Sequence, residues 1–174
     1  LLSLTTDSPG TTNINGGSVD TTNNQTYNDD VLLGATTILT STASGNITFE
    51  KTLNGIYALD VNTAGTTTFN GTVGDVFELL SLTTDSPGTT NINGGSVKTT
   101  NNQTYNDAVV FDTTTILTST ANGDITFAET LDGNIVLGDM TTDDLTVNTA
   151  GTTTVNGAVG GTVELLSLTT DSPG

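Results

Sequence analysis

Several residue types that build catalytic and metal sites are missing from this 174-residue chain. It has no cysteine, histidine or tryptophan, and its only cations are Lys51 and Lys98. The absence of cysteine excludes disulfides and thiolate metal sites, and without histidine or cysteine no nucleophile–imidazole pair can form. The 19 acids give a net charge of −17, which excludes a nucleic-acid partner because the chain could not neutralise phosphates.

Long apolar runs are missing as well. No segment approaches the roughly 18 consecutive apolar residues of a spanning helix, so we expect no membrane insertion of this segment. The acidic balance also disfavours docking on an anionic lipid surface. No signal peptide is recognisable, and the chain begins and ends inside its own repeated phrase. We therefore expect a fragment of a longer array.

What the chain does contain is a long repeat. Residues 1–19, LLSLTTDSPGTTNINGGSV, recur unchanged as residues 79–97. Residues 165–174 begin the same phrase a third time, so the repeat units are 1–78, 79–164 and the opening 165–174. A nearly fixed long period is typical of a repeat architecture, which more often serves as a spacer, scaffold or binding surface than as an enzyme.

A shorter period lies within each unit. Threonine, which is abundant, favours strands, whereas glycine, asparagine and aspartate favour tight turns. Apolar anchors, each followed by turn residues, recur with a mean step of about 20 residues at Ile14, Tyr27, Phe49, Phe69, Ile92, Tyr105, Phe127 and Val155. The pattern predicts one continuous all-β segment over residues 1–174. Its fold would be a parallel β-helix, or β-solenoid, with about 20 residues per coil and about eight coils.

This coil length predicts about four coils in each repeat unit, with the recurring phrase at the same corner of the fold each time. The alternative fold is one immunoglobulin-like β-sandwich per unit, because about 80 residues suits such a domain. The period of about 20 residues favours the β-helix.

Asparagine follows the anchor in six of the eight cases. We expect a coil corner there, in which asparagine adopts the left-handed conformation and stacked amides hydrogen-bond from coil to coil. The second unit is eight residues longer than the first. We expect this excess to form a surface loop at Gly138–Asp144 that leaves the strand ladder unbroken.

Four phrases of the sequence are LTVNTAGTTTVNGAVG, NNQTYNDAVVF, TTILTSTANGDITF and TTNINGGSV. Together they resemble the repeats of very large bacterial surface proteins of the filamentous-haemagglutinin-like adhesin type. The resemblance covers essentially the whole chain. It implies a right-handed parallel β-helical rod, secreted and displayed on the bacterial cell surface. It implies no catalytic residues, so none is carried over to this chain.

Few residues offer chemistry of their own. Carboxylate pairs at Asp29-Asp30 and Asp143-Asp144 are the only candidates for polysaccharide cleavage, but neighbours on a strand point to opposite faces. The calcium-binding nonapeptide of β-rolls is missing, so we expect cation screening of the negative charge without a defined site. We therefore expect no catalytic, cofactor-binding or metal residues, and no cofactor.

The sequence thus predicts a structural rod or stalk in a bacterial extracellular adhesin or surface filament, and not an enzyme. Its expected partners are neighbouring repeats, further copies in end-to-end fibres, and a host or carbohydrate surface. One alternative is ice binding by threonine ranks, since Thr66-Thr67-Thr68 and Thr152-Thr153-Thr154 place threonine at alternate positions. The other is a β-helix that binds or cleaves polysaccharide.

Overall fold

The structure is a computed structural model that describes residues 1–134 and 143–170. These residues form strands and turns and no helix. Parallel strands stack as a β-solenoid of about 7 turns, with equivalent strands about 22 residues apart. The prediction of an all-β parallel solenoid is confirmed. The immunoglobulin-like alternative is wrong, because such sandwiches pair their strands antiparallel, whereas the strand pairs of the described residues are parallel.

The strands of the described residues are short, as a coil with tight corners requires. In chain order they are β1 (Leu4–Thr6), β2 (Thr11–Ile14), β3 (Ser18–Thr21), β4 (Gln25–Tyr27), β5 (Asp30–Leu33), β6 (Thr37–Ser41), β7 (Ile47–Phe49), β8 (Leu53–Asn54), β9 (Ala58–Thr63), β10 (Thr66–Phe69), β11 (Ser81–Thr84), β12 (Thr89–Ile92), β13 (Ser96–Thr99), β14 (Gln103–Tyr105), β15 (Ala108–Phe111), β16 (Thr115–Ser119), β17 (Ile125–Phe127), β18 (Leu131–Gly133), β19 (Asp144–Asn148), β20 (Thr153–Val155) and β21 (Ser167–Thr170).

Each turn contributes one strand position to each of three faces. The first face is the sheet β1-β4-β7-β10-β12-β15-β18, and the third face is the sheet β3-β6-β9-β11-β14-β17-β20. The second face consists of β2-β5-β8 and β13-β16-β19-β21. These two pieces are joined by the single residue Val73, which bridges to Leu53 and to Val97. The three ladders therefore run from the first repeat unit into the second.

The core is built from columns of like residues that stack from turn to turn. On the first face Tyr27, Phe49 and Phe69 occupy one column, and their rings are stacked with centroids 5.0 Å and 5.3 Å apart. All eight predicted anchors lie in the core, where Val155 is half-buried and the others are buried. Each turn alone could not cover these side chains, so stacking is what removes them from water.

The coil is slightly longer than the mean anchor step because the anchors do not all share one face. Ile14 lies on the second face and Tyr27 on the first, so the short step between them spans only part of a turn. The same holds for Ile92 and Tyr105, on the first and third faces. Within one column, as from Tyr27 to Phe49, the step is a full turn of about 22 residues.

The long repeat does not contain a whole number of turns. The copies of one strand are β1, β11 and β21, and they lie on the first, third and second faces. With Val73 and its counterpart Val159 counted, each unit holds eleven strand positions, which is about three and two-thirds turns. The unit is close to the expected four coils, but the expectation that the phrase recurs at one corner is wrong. Each copy is turned by one face relative to the copy before it.

The longer second unit is accommodated without loss of pairing. Ile38 pairs with Asp60 in the first unit, and its copy Ile116 pairs with Thr146 in the second, so the step to the next turn is eight residues longer there. The prediction that the ladder continues past the insertion is confirmed. Of the predicted loop Gly138–Asp144, residues 138–142 lie outside the described residues, and Asp144 begins β19.

Of the asparagines after the anchors, Asn70 and Asn93 stack as predicted. Asn28 and Asn106 instead donate their Nδ2 groups to backbone carbonyls of the preceding turn. Asn93 Nδ2 donates to Asn70 Oδ1 at 2.8 Å, and Asn70 Nδ2 donates to Glu50 Oε2 at 2.8 Å. The prediction that these asparagines have a left-handed backbone is wrong. The non-glycine residues with positive φ in the described chain are Ser44 (59°) and Asn122 (64°), at the corner before the anchor strand. A ladder of amides needs only equal spacing between turns, so it does not require that conformation.

Candidate binding face

The carboxylates singled out from the sequence serve as hydrogen-bond acceptors between turns. Asp29 is buried, and its Oδ1 accepts the hydroxyls of Thr6 at 2.5 Å and Thr12 at 2.8 Å. Its neighbour Asp30 is half-buried and accepts the Thr52 hydroxyl at 2.6 Å. Asp29 lies at the bend before β5 and Asp30 is the first residue of β5, and the two carboxylates accept from different turns, one before and one after their own.

The copy of Asp29 in the second unit is Asp107, which accepts the hydroxyls of Thr84 at 2.7 Å and Thr90 at 2.9 Å. The two sites differ in electrostatics although their partners are equivalent. The hydroxyl of Thr6 is the main cause that lowers the pKa of Asp29, whereas burial raises the pKa of Asp107. Both carboxylates lie between two turns, but only one turn precedes Asp29 whereas several precede Asp107, so more of the protein separates Asp107 from water.

The second carboxylate pair lies beside the insertion. Asp143 is buried, and its Oδ2 accepts the Asn134 backbone N–H at 2.9 Å. Its Oδ1 has no hydrogen-bond partner among the described residues. Asp144 is half-buried and accepts the hydroxyl of Ser167 in the next turn. Within residues 1–134 and 143–170, no three acidic side chains are grouped closely enough to hold a metal ion.

A different surface has the regularity of a binding face. On the first face the outward residues of four consecutive turns align in two files, which we call the first polar face. One file is Ser3, Asn24, Asn46 and Thr66, and the other is Thr5, Thr26, Thr48 and Thr68. Thr67, between the two files, is buried, so of the triplet Thr66-Thr67-Thr68 only the outer two reach this surface. Neighbours in a file are about 4.8 Å apart, the distance between paired strands.

Side-chain to backbone bonds hold one file in place. Asn24 Oδ1 accepts the backbone N–H of Asn46 at 3.0 Å, and Asn46 Oδ1 accepts that of Thr66 at 3.0 Å. Each amide oxygen thus caps a strand of the next turn. The Nδ2 groups of Asn24 and Asn46, on exposed side chains, have no protein partner within the described ranges. The file therefore presents a fixed row of free donors.

The second unit carries the same arrangement on the third face, which we call the second polar face. Its files are Ser81, Asn102, Asp124 and Thr152, and Thr83, Thr104, Thr126 and Thr154. Asn102 Oδ1 accepts the N–H of Asp124 at 3.0 Å, and Asp124 Oδ1 accepts that of Thr152 at 2.7 Å. One position differs in charge, because Asp124 stands where the first unit has Asn46.

Equivalent shallow grooves open beside the two polar faces. The first groove, of about 540 Å³, is lined by Ser3, Thr5, Asn23, Asn24, Thr26, Ala43, Ser44 and Gly45. The second groove, of about 400 Å³, is lined by Leu80, Ser81, Thr83, Asn101, Asn102 and Thr104. Five of the lining positions in one groove are repeat copies of positions in the other. Hydroxyl and amide groups dominate both linings, and neither includes an ionisable side chain.

The two cations are engaged elsewhere. Lys98 Nζ lies 3.1 Å from Asp75 Oδ1, and Lys51 Nζ donates to Ser8 Oγ at 3.0 Å. Neither lysine lines a groove, so the two grooves offer neutral polar groups for binding.

The threonine ranks named from the sequence give only one end of each polar face, although a signal for the other turns was present. Threonine directly precedes six of the eight anchors, all except Ile14 and Ile92. Since neighbours on a strand point to opposite sides, a buried anchor implies an outward threonine beside it. Three of these threonines, Thr26, Thr48 and Thr68, form one file.

Comparison with known proteins adds no identification to this geometry. The described residues contain no helix long and apolar enough to cross a membrane. No protein-family model, no curated protein and no solved structure matches this chain.

Proposed function

We propose that this chain is a stiff structural segment of a bacterial extracellular adhesin or surface filament, in which it extends a rod between other regions. The observation that carries the proposal is the continuity of the ladders across the junction of the repeat units. There β9 pairs with β11, β10 pairs with β12, and Val73 bridges Leu53 to Val97. A tandem array joined in this way lengthens as one stack and not as beads on a linker.

The electrostatics fit a rod that stays separate from its neighbours. A net charge of −17 repels other copies sideways at low ionic strength, and salt weakens this repulsion because the Debye length falls to about 8 Å near 0.15 M. The resemblance to adhesin repeats supports the extracellular location.

The length gained per repeat tests the rod. Each unit of about three and two-thirds turns adds roughly 18 Å at about 4.8 Å per turn. Tandem proteins of two, four and eight units should therefore show a maximum dimension in small-angle X-ray scattering that grows linearly by this increment. Growth with the square root of the number of units would contradict a stiff stack.

Antibodies against the chain should label intact cells of the source organism, and labelling only after lysis would contradict surface display.

A further inference from the structure

We propose that each repeat unit carries a binding groove for a neutral polysaccharide, and that one molecule bridges two polymer chains because its grooves open on different faces. The first groove lies beside the first polar face and the second groove beside the second polar face. This inference goes beyond the rod proposed above and does not depend on its length.

The absence of charge in the grooves selects the class of ligand. The chain carries 19 acidic residues, yet the residues that line each groove are all uncharged. The net charge of −17 repels an anionic polymer, and no lysine lines either groove to attract one. A neutral polymer meets neither obstacle.

The polar groups match a polyhydroxylated ligand. A sugar hydroxyl both donates and accepts, as do the hydroxyls of Thr5 and Thr26, which line the first groove. Asn24 adds a free Nδ2 donor, because its Oδ1 is already fixed by the Asn46 N–H. Asn102 has the same arrangement in the second groove, with its Oδ1 fixed by the Asp124 N–H. Both grooves therefore offer preset donors beside rotatable hydroxyls.

The orientation of the grooves determines what binding does. The eleven strand positions of a unit turn the copied groove from the first face to the third. A single extended polymer lying along one face cannot enter both grooves. Each shallow groove binds weakly alone, but a polymer with many equivalent segments binds with a higher overall affinity because the effective concentration of segments near the groove is high. Two grooves on different faces then hold two polymer chains and cross-link them.

The test uses the chain with a soluble neutral β-glucan, and with alginate as an anionic polymer. Four variants are compared: Thr26→Asp in the first groove, Thr104→Asp in the second, the double variant, and Thr40→Asp as a matched control. Thr40 is a half-buried strand residue that lines neither groove. Affinity electrophoresis measures binding, and light scattering of the glucan measures cross-linking.

We expect the wild-type chain to be retarded by β-glucan and not by alginate, and to raise the scattering of the glucan. Each single variant should keep about half of the binding sites and lose the cross-linking. The double variant should lose at least about tenfold in affinity, and Thr40→Asp should behave as wild type. If an aspartate variant loses its strand signal in circular dichroism, Thr26→Val and Thr104→Val remove the hydroxyl with a residue that favours strands.

Several results would overturn the proposal. These are equal retardation by alginate and β-glucan, unchanged affinity in the double variant, and cross-linking that persists in both single variants. Inhibition of ice recrystallisation without glucan binding would identify the polar faces as an ice-binding surface instead. Sedimentation of the wild-type chain as a dimer without glucan would attribute cross-linking to self-association. In each case the length increment of tandem proteins is unaffected, so failure of this inference is distinguishable from failure of the rod.

Discussion

The aromatic column of the first unit predicts a difference in stability between two copies of one residue. Phe49 is buried and stacks between Tyr27 and Phe69, with centroids 5.0 Å and 5.3 Å away. Its copy Phe127 is also buried and stacks on Tyr105 at 5.3 Å, but its neighbour in the next turn is the half-buried Val155. Phe49 thus has two ring partners and Phe127 has one.

Replacement of a buried phenylalanine by alanine costs about 3–5 kcal/mol, and each aromatic pair adds about 0.5–1.5 kcal/mol beyond burial. We therefore expect Phe49→Ala to lower the free energy of unfolding by about 4 kcal/mol, and Phe127→Ala by about 1 kcal/mol less. Thr48→Ala, on the outward side of the same strand, should cost under about 1 kcal/mol.

Urea denaturation followed by far-UV circular dichroism measures all three variants. An equal or larger loss in Phe127→Ala would refute the idea that neighbouring rings in the column contribute separately. A loss below about 2 kcal/mol in Phe49→Ala would show that adjacent turns close over the cavity.

Four further outcomes are expected. Burial raises the pKa of Asp107 in the folded chain above its value in the unfolded chain. The free energy of unfolding of wild type, relative to Asp107→Asn, should therefore increase as pH falls from the folded pKa to the unfolded pKa. Hydrogen bonding lowers the pKa of Asp29 in the folded chain. The higher free energy of unfolding of wild type relative to Asp29→Asn should hold above the unfolded pKa and vanish as pH falls through the folded pKa. Urea denaturation at a series of pH values measures both effects. Gly45→Ala should lower Tm by roughly 5 °C in calorimetry, because its Cβ would overlap the backbone of Asn23 in the preceding turn, and an unchanged Tm would contradict this packing. Tyr105→Phe should cost about 1–3 kcal/mol in urea denaturation, because it removes the hydroxyl that donates to the buried Gln103 at 3.0 Å.

The fold could be predicted because its two signals are local. Each anchor, such as Tyr27, is flanked by polar strand residues and followed by a turn, so inward and outward positions can be read within a few residues. The spacing of the anchors then indicates a coil, since only stacked turns bury such isolated apolar residues. The number of strands per unit has no such local signal. It depends on Val73, a single bridging residue that occupies a whole strand position on the second face.

The polar faces depend on register between turns. The threonines of one file are separated by unequal steps along the sequence, yet the structure aligns them; they are Thr5, Thr26, Thr48 and Thr68. A slip of one residue in any turn would point a threonine inwards, so the file cannot be assigned from an average period. The environments of Asp29 and Asp107 are likewise not distinguishable from sequence, because both belong to the same local motif, YND.

The mismatch between eleven strand positions and three faces has a consequence for how such arrays evolve. Near-identical units are prone to unequal recombination, which adds or removes one unit at a time. Loss of one unit would shorten the stack and also rotate every downstream surface by one face, whereas loss of three units would restore the original orientation. The number of units would then determine the direction in which the distal regions face. A lineage could change this direction by recombination, without altering a residue in those regions.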